Sequence, residues 1–156
     1  MRLVKNKKLK SIEPEFLSGK RDFTLLVLES NALEFLPNGF LGGLKHLTKV
    51  VIQDNLVEIR LDSQSFALTS LINLKISYSG LLNLPEDMFL QSYNLETIDL
   101  AYNIIDQLPA KLFRHTISLK DIILRNNKLK IVPKASYFHG ISYWAICCWT
   151  ITTSQN

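Results

Sequence analysis

Apolar residues recur along this chain with a period of 24 residues, and polar residues keep fixed places between them. In successive units the apolar residues follow the spacing Leu-x-x-Leu-x-Leu, and in four units an asparagine stands three residues after the last of them. The last two apolar residues are two apart, which is the spacing of residues on one face of a strand. The pattern predicts one short strand per unit and a stack of parallel strands about 4.8 Å apart.

The apolar positions of these strands predict a core that runs through all units. In order along the unit they hold Phe23, Leu47, Leu71, Leu95, Leu119 and Tyr143; Leu26, Val50, Leu74, Ile98, Ile122 and Ile146; and Val4, Leu28, Ile52, Ile76, Leu100, Leu124 and Cys148. We expect no insertion or deletion in this register from Val4 to Cys148. The later half of the unit repeats less strictly, and its large apolar position offers neighbouring candidates. These are Leu17 or Phe16, Leu41 or Phe40, Ser65 or Phe66, Phe89, Phe113, and Tyr137 or Phe138.

The asparagine position predicts a structural role for a polar side chain. Successive units hold Lys7, Asn31, Asn55, Ser79, Asn103, Asn127 and Ile151 there. A buried polar side chain needs hydrogen-bond partners, so we expect asparagine to bind backbone groups where the chain turns inward. Ser79 can do part of this, whereas Lys7 and Ile151, in the end units, cannot.

The combined pattern Leu-x-x-Leu-x-Leu-x-x-Asn-x-Leu-x-x-Leu-Pro-x-x-x-Phe resembles the leucine-rich repeat family in its 24-residue extracellular form, over nearly the whole chain. The resemblance implies an α/β solenoid, a right-handed horseshoe with a parallel concave β-sheet and an irregular or short-helical convex side. One unit cannot close a core alone, so stability comes from stacking neighbours. We expect residues 1–149 to form this domain, as about six repeats with the first and last incomplete, and residues 150–156 to form a polar tail.

Strand residues between the core positions point to the opposite face of the sheet, and they vary while the core positions stay apolar. The middle of this face mixes aromatic, charged and aliphatic residues, and tyrosine and arginine are frequent anchors of protein interfaces. The array is about 30 Å long, which suits a protein interface of standard size. We therefore expect a protein partner to bind this concave face at Val51, Lys75, Tyr78, Asp99, Tyr102, Ile123 and Arg125.

The net charge of +4 belongs to one end of the chain. Residues 1–21 hold seven Lys or Arg and two acids, whereas residues 22–156 hold eleven and twelve. A protein that binds nucleic acid gathers its basic residues on the working face, so we expect no nucleic-acid partner. No apolar run reaches the roughly 18 residues of a membrane span, and the first residues lack the apolar stretch of a secretory signal. Any membrane attachment is expected only through segments of a longer parent protein.

The histidines and cysteines predict no metal or redox site. His46, His115 and His139 stand apart in convex or connecting segments, which is typical of surface histidines. Cys147 and Cys148 have no second pair at metal-ligand spacing. We expect Cys148 to fill a core position and Cys147 to carry a free thiol, and we expect no cofactor.

One pair of carboxylates raises the question of catalysis. Asp99 and Asp121 project from neighbouring strands with a diagonal offset, which places them about 7–8 Å apart, within the range of inverting glycosidases. However, Lys75 beside Asp99 favours the ionised carboxylate, and an open face excludes little water. We therefore expect a solvated row of charges and no enzyme activity.

Both ends of the array lack the polar capping unit that a solenoid needs, and we interpret the chain as a fragment. Cys147 and Cys148 do not have the spacing of a cysteine-rich cap. We expect the last strand, around Trp144 and Ile146, to leave an apolar layer and an unpaired edge that promote association. A membrane-associated tail is the alternative, although its apolar run is short and interrupted.

The resemblance implies an extracellular parent: a secreted protein or a receptor ectodomain of the Toll, Slit or chaoptin kind. It also extends to secreted arthropod proteins that are named after the non-catalytic subunit of a shrimp luciferase. We therefore expect a non-catalytic protein-interaction module. The alternative is a structural or accessory subunit of a secreted complex, which would co-purify obligately with its partner.

Overall fold

A computed structural model describes residues 1–18, 22–55 and 58–131 of the chain. Six strands form one parallel sheet in the order β1-β2-β4-β6-β7-β8, and two more, β3 and β5, form a small second sheet. Each strand of the large sheet pairs with the next one along the chain, so the backbone completes one turn of a solenoid per unit. The elements are β1 Arg2–Val4, α1 Pro14–Ser18, β2 Leu25–Glu29, β3 Phe35–Leu36, β4 Lys49–Gln53, β5 Arg60–Leu61, β6 Asn73–Ser77, β7 Thr97–Asp99 and β8 Asp121–Ile123.

The 24-residue period sets the strand pairing from β2 to β8. Leu26 pairs with Val50, and the pairing continues through Leu74, Ile98 and Ile122 at the same interval. All five side chains are buried, as are the apolar residues two places later in each unit. Because like residues meet in neighbouring turns, every unit covers the apolar side of the next. The predicted solenoid with a parallel sheet is confirmed.

The first strand is one residue out of the predicted register. Leu3, not Val4, pairs with Leu28, and Leu3 packs against the core while Val4 is 43% exposed. The shift brings Asn6 instead of Lys7 to the asparagine position, where the Asn6 backbone N–H donates to Oδ1 of Asn31 at 3.1 Å. The prediction that Val4 lies in the core was wrong.

The physical reason for the shift is the cost of burying an ammonium group without a partner. With Asn6 at the turn, its Oδ1 accepts from the Lys8 backbone N–H at 3.2 Å. The extra residue is taken up in the tight turn that follows, where the Leu9 N–H donates to the Asn6 carbonyl at 3.0 Å. The Leu9 carbonyl then accepts from the Ala32 N–H, so the 24-residue interval is restored.

A row of phenylalanine rings fills the convex half of the core. Phe40 and Phe66, not their neighbours Leu41 and Ser65, supply the rings in their units, although all four residues are buried. In the first unit Leu17 is buried and Phe16 is 46% exposed. The ring centroids of successive members are 5.7, 6.5 and 6.1 Å apart, along Phe40, Phe66, Phe89 and Phe113.

The third unit departs from the others on its convex side. Arg60 is exposed, and Leu61 pairs with Leu36 across the small sheet. Ile59 is buried on the other side of Arg60. The irregular sequence of this unit is therefore accommodated by a local strand pair that turns the arginine outward.

The predictions for the last unit, including Trp144, Ile146, Cys147 and Cys148, and those for the polar tail lie outside the described residues. Within residues 1–18, 22–55 and 58–131, no helix is long and apolar enough to cross a membrane.

Candidate binding face

The central row of the outward sheet face contains four of the residues predicted to bind a partner. Val51 pairs directly with Lys75, Lys75 with Asp99, and Asp99 with Ile123. All four side chains are partly exposed. The strands therefore place an aliphatic, a basic, an acidic and a second aliphatic side chain next to one another at intervals of about 4.8 Å. We call this surface, with the rows on either side of it, the concave face.

Lys75 and Asp99 are cross-strand neighbours, but their charged groups are not paired. The carboxylate of Asp99 turns to the end of its own strand, where Oδ1 accepts from the Ala101 backbone N–H at 3.0 Å. The ion pairs within the described residues are Lys10–Glu34, Arg114–Asp87 and Lys120–Glu96. The ammonium of Lys75 is thus available to a partner, although Asp99 is its cross-strand neighbour.

A second row, which we call the rim row, follows the ends of the strands. Its residues precede the asparagine position, which is Asn6 in the first unit, and share a left-handed backbone with φ between 49° and 57°: Lys5, Ser30, Asp54, Tyr78, Tyr102 and Asn126. A left-handed conformation costs an L-residue about 1–2 kcal/mol, and only glycine, asparagine and aspartate adopt it readily. Two adjacent tyrosines in this conformation are therefore unfavourable for the backbone.

The two tyrosines and a neighbouring arginine form one stack. The rings of Tyr78 and Tyr102 are nearly parallel, 11° apart, with centroids separated by 4.3 Å. The guanidinium carbon of Arg125 lies 5.5 Å from the Tyr102 centroid, within the range of a cation–π interaction. Tyr78 is 52% exposed, and Arg125 is exposed. The structure therefore brings together three of the predicted binding residues on a preformed aromatic platform, which we call the tyrosine stack.

The asparagine position anchors this platform from below. Asn103 directly follows Tyr102, and its amide nitrogen donates to the carbonyls of Ile76, Leu100 and Ala101 at 2.7, 3.0 and 3.3 Å. Its Oδ1 accepts from the backbone N–H groups of Ser79 and Leu81, both at 3.2 Å. The turn that carries Tyr102 is thus tied to the previous unit, and the predicted structural role of the asparagine is supported by this geometry.

The two ends of the tyrosine stack differ in charge. Next to Tyr78, the rim row holds Asp54, and the amide nitrogen of Gln53 donates to Glu29 Oε1 at 3.1 Å and to Asp54 Oδ2 at 3.4 Å. The pKa of Tyr78 lies above its usual value of 10.0, first because of desolvation, then because of the Tyr102 phenol and the Asp54 carboxylate, while Arg125 acts in the opposite direction. The stack therefore runs from an acidic end to a basic end.

Sequence reasoning did not include Asp54 among the binding residues. The signal was present, because Asp54 stands 24 residues before Tyr78. Periodicity shows that two residues share a row, but it does not show how their side chains are arranged, so the role of Asp54 as the acidic neighbour of an open aromatic ring required the structure.

The described residues include the carboxylates and two of the histidines that bear on catalytic and metal chemistry. Asp99 and Asp121 are offset diagonally, as predicted, since Asp121 pairs with Thr97 and Asp99 with Ile123. No group of three or more His, Cys, Asp or Glu within the described ranges could hold a metal ion. On the convex side, His115 accepts from Arg114 Nε at 2.8 Å and packs edge-on to Tyr93, with 6.3 Å between ring centroids.

Comparison with known proteins places the chain among leucine-rich repeat structures. The leucine-rich repeat family model matches residues 69–129. One similar structure is that of the glycosylated Toll–Spatzle complex, described as a molecular hub in Drosophila development and innate immunity. A chain of this complex is 28% identical in sequence to the present chain. Its TM-score is 0.79, and the match covers 88% of this chain and 19% of that one. A second structure of the complex matches at 26% identity and a TM-score of 0.59, over 76% and 19% of the two chains.

A chain from the TLR13–ssRNA13 complex has the same fold at 23% identity, with a TM-score of 0.60 and coverage of 89% and 23%. The chain thus spans about a fifth of the length of these structural relatives. None of the curated proteins matches the sequence.

Proposed function

We propose that this chain, which belongs to the leucine-rich repeat family, is a non-catalytic module that binds a protein partner on its concave face. The binding residues are those of the central row and of the tyrosine stack: Val51, Lys75, Tyr78, Asp99, Tyr102, Ile123 and Arg125. The parent protein is extracellular in this proposal, as in the Toll type of leucine-rich repeat ectodomain.

The observation that carries the proposal is the pair of left-handed tyrosines. Tyr78 and Tyr102 have φ values of 49° and 57°, where asparagine or aspartate would cost the backbone less. Unfavourable local choices that persist in a folded protein are expected at functional sites. A tyrosine offers a large rigid contact with a polar tip. Two stacked tyrosines are therefore better explained as binding anchors than as residues that stabilise the turn.

The charges of the concave face favour a protein over a nucleic acid. Acidic and basic residues are mixed on this face: Asp99 is the cross-strand partner of Lys75, and Glu29 and Asp121 lie on other strands of the same sheet. Phosphate backbones are bound by clustered lysine and arginine, and the carboxylates here would repel them. The Toll–Spatzle neighbour is itself a complex with a second protein, which agrees with a protein partner for this chain.

The test compares two triple-alanine variants after the partner has been identified by affinity capture. One variant replaces Tyr78, Tyr102 and Arg125, and the control replaces Lys111, Arg114 and His115 on the convex side. We expect the first to lose about thirtyfold or more in affinity, since buried anchors of this type contribute about 2 kcal/mol or more, and we expect the control to bind as the parent does.

Folding of both variants is checked by circular dichroism and thermal unfolding before affinities are compared. A folded concave variant that binds as tightly as the parent would refute the proposal, and loss of binding in the convex variant alone would move the site to the other side. A partner that cannot be separated from the folded chain would favour the accessory-subunit alternative.

A further inference from the structure

We infer that the partner presents an extended segment with a basic side chain over Tyr78 and Asp54 and an acidic side chain at Arg125. This inference rests on the proposed function and specifies the chemistry of the partner. It follows from the order of groups along the tyrosine stack, which is not symmetric.

The open ring face of Tyr78 forms the first half of the site. One face of this ring lies against Tyr102, and Tyr78 remains 52% exposed. The rim row continues beyond it with Asp54, which shares the same left-handed backbone at φ 54°. The rim-row position next to Tyr78 therefore holds a carboxylate instead of a further ring.

An aromatic face beside a carboxylate suits a cation. A guanidinium or ammonium within about 6 Å of the ring gains a cation–π interaction, and Asp54 adds a charge-assisted hydrogen bond. The Asp54 carboxylate accepts from the Gln53 amide nitrogen at 3.4 Å. The same nitrogen donates to Glu29 Oε1 at 3.1 Å, so a second carboxylate lies close to the first. A basic side chain from the partner would extend the stack as Arg125 does at the opposite end.

Arg125 forms the second half of the site. Its guanidinium covers Tyr102, its side chain is exposed, and it belongs to none of the ion pairs found within the described residues. Stacking on the ring holds the guanidinium plane in one place, which favours paired hydrogen bonds to a carboxylate. An acidic side chain is therefore the complementary ligand at this end.

The distance between the two halves of the site determines how many residues of the partner segment separate its two charged side chains. Asp54 follows β4 and Arg125 follows β8, so three strand intervals separate them, about 14 Å at 4.8 Å each. An extended segment advances about 3.4 Å per residue, so roughly four residues span the distance. The partner motif is thus a basic residue and an acidic residue about four positions apart, with the basic one over β4.

The test is a selection from a library of random linear peptides. The parent chain is compared with a charge-reversed variant, Asp54→Lys, because a linear peptide can bind in either direction and a change at one end alone alters the charges that it must carry. Lysine is tolerated by the left-handed backbone, because Lys5 has a φ of 57° in the first unit. We expect the parent to enrich peptides with an Arg or Lys about four residues from an Asp or Glu, and the variant to enrich peptides with two acidic residues at that spacing.

Single variants quantify the effect on one enriched peptide. Asp54→Asn should weaken its binding about tenfold, while Asp121→Asn, an exposed carboxylate on the same face but outside the stack, should change the affinity by less than twofold. Enrichment of the same peptides by the parent and the charge-reversed variant, or no charge pattern at all, would overturn the inference.

The triple-alanine concave variant separates this inference from the proposed function. If it loses the peptides while the charge-reversed variant keeps them unchanged, the concave face binds but the polarity is wrong. If it keeps the peptides, the binding face itself is wrong. A labelled oligouridine that binds through Tyr78 and Tyr102 more tightly than any selected peptide would also overturn the inference, because stacked bases would then be the ligand.

Discussion

Two rows of residues lie side by side along the solenoid and obey opposite constraints. The asparagine position, represented by Asn103, is buried and constrained in its side chain. The Asn103 amide makes hydrogen bonds to five backbone groups. The rim row, represented by Tyr102, is constrained in its backbone, which is left-handed in six successive units. In the first row the side chain makes the hydrogen bonds of the turn, whereas in the second the fold restricts only φ.

The difference shows where this protein can vary for function without losing its fold. The rim row is occupied by lysine, serine, aspartate, tyrosine and asparagine in different units, although their φ values differ by only a few degrees. Tyr78 and Tyr102 are bulky residues in a backbone conformation that asparagine and aspartate adopt more readily. From β2 onward, the asparagine position of the described units holds asparagine in every case except one, where Ser79 takes its place.

The largest effect is expected from breaking the asparagine row. Asn103→Ala should lower the free energy of unfolding by about 3 kcal/mol, because it leaves buried backbone donors and acceptors without partners. Asn83→Ala is the control, since Asn83 is exposed, and it should change stability by less than about 0.5 kcal/mol. Equal shifts in the denaturation midpoints of the two variants would contradict the contrast between buried and exposed positions.

A gain in stability is expected where the asparagine row is incomplete. The Ser79 hydroxyl donates to the Ser77 carbonyl at 2.9 Å, whereas Asn103 also reaches the Ile76 carbonyl of the preceding unit. Ser79→Asn should reach the equivalent carbonyl of Ile52 and raise the free energy of unfolding by about 1 kcal/mol. The measurement is chemical denaturation, with Ser79→Ala as the control, and no gain from asparagine would show that the turn at Ser79 differs from its neighbours.

The smallest effect is expected from the rim row. The double variant Tyr78→Asn with Tyr102→Asn should remain within about 1 kcal/mol of the parent, because relief of two left-handed tyrosines, about 1 kcal/mol each, offsets the lost stacking and burial. A double-mutant cycle in thermal unfolding should show the two changes to be non-additive, since they share one stack.

The reverse change at Asn126, which has the same backbone conformation, provides the matched control. Asn126→Tyr should destabilise the chain by about 1 kcal/mol. If the tyrosine double variant is as unstable as Asn103→Ala, the rim row is structural and the contrast between the two rows fails.

The sequence alone was sufficient to predict the repeating part of the architecture. Each core position recurs at 24-residue intervals, so Leu26, Val50 and Leu74 make the same contribution in successive units, and the repetition distinguishes this fold from its alternatives. The structural role of Asn103 followed for the same reason, since a polar residue that recurs at a buried position must satisfy recurring backbone groups.

Only the tertiary structure decided the features that occur once. It placed Asn6 instead of Lys7 at the first turn, chose Phe40 over Leu41 for the row of rings, and left Lys75 and Asp99 unpaired. In each case the alternatives are residues that lie close together, and local hydrogen bonds and packing determine which of them takes the position or forms the contact. The stack of Tyr78, Tyr102 and Arg125 belongs to the same class, because a period states which residues share a row, whereas the backbone angle and the neighbouring side chains determine where each ring points.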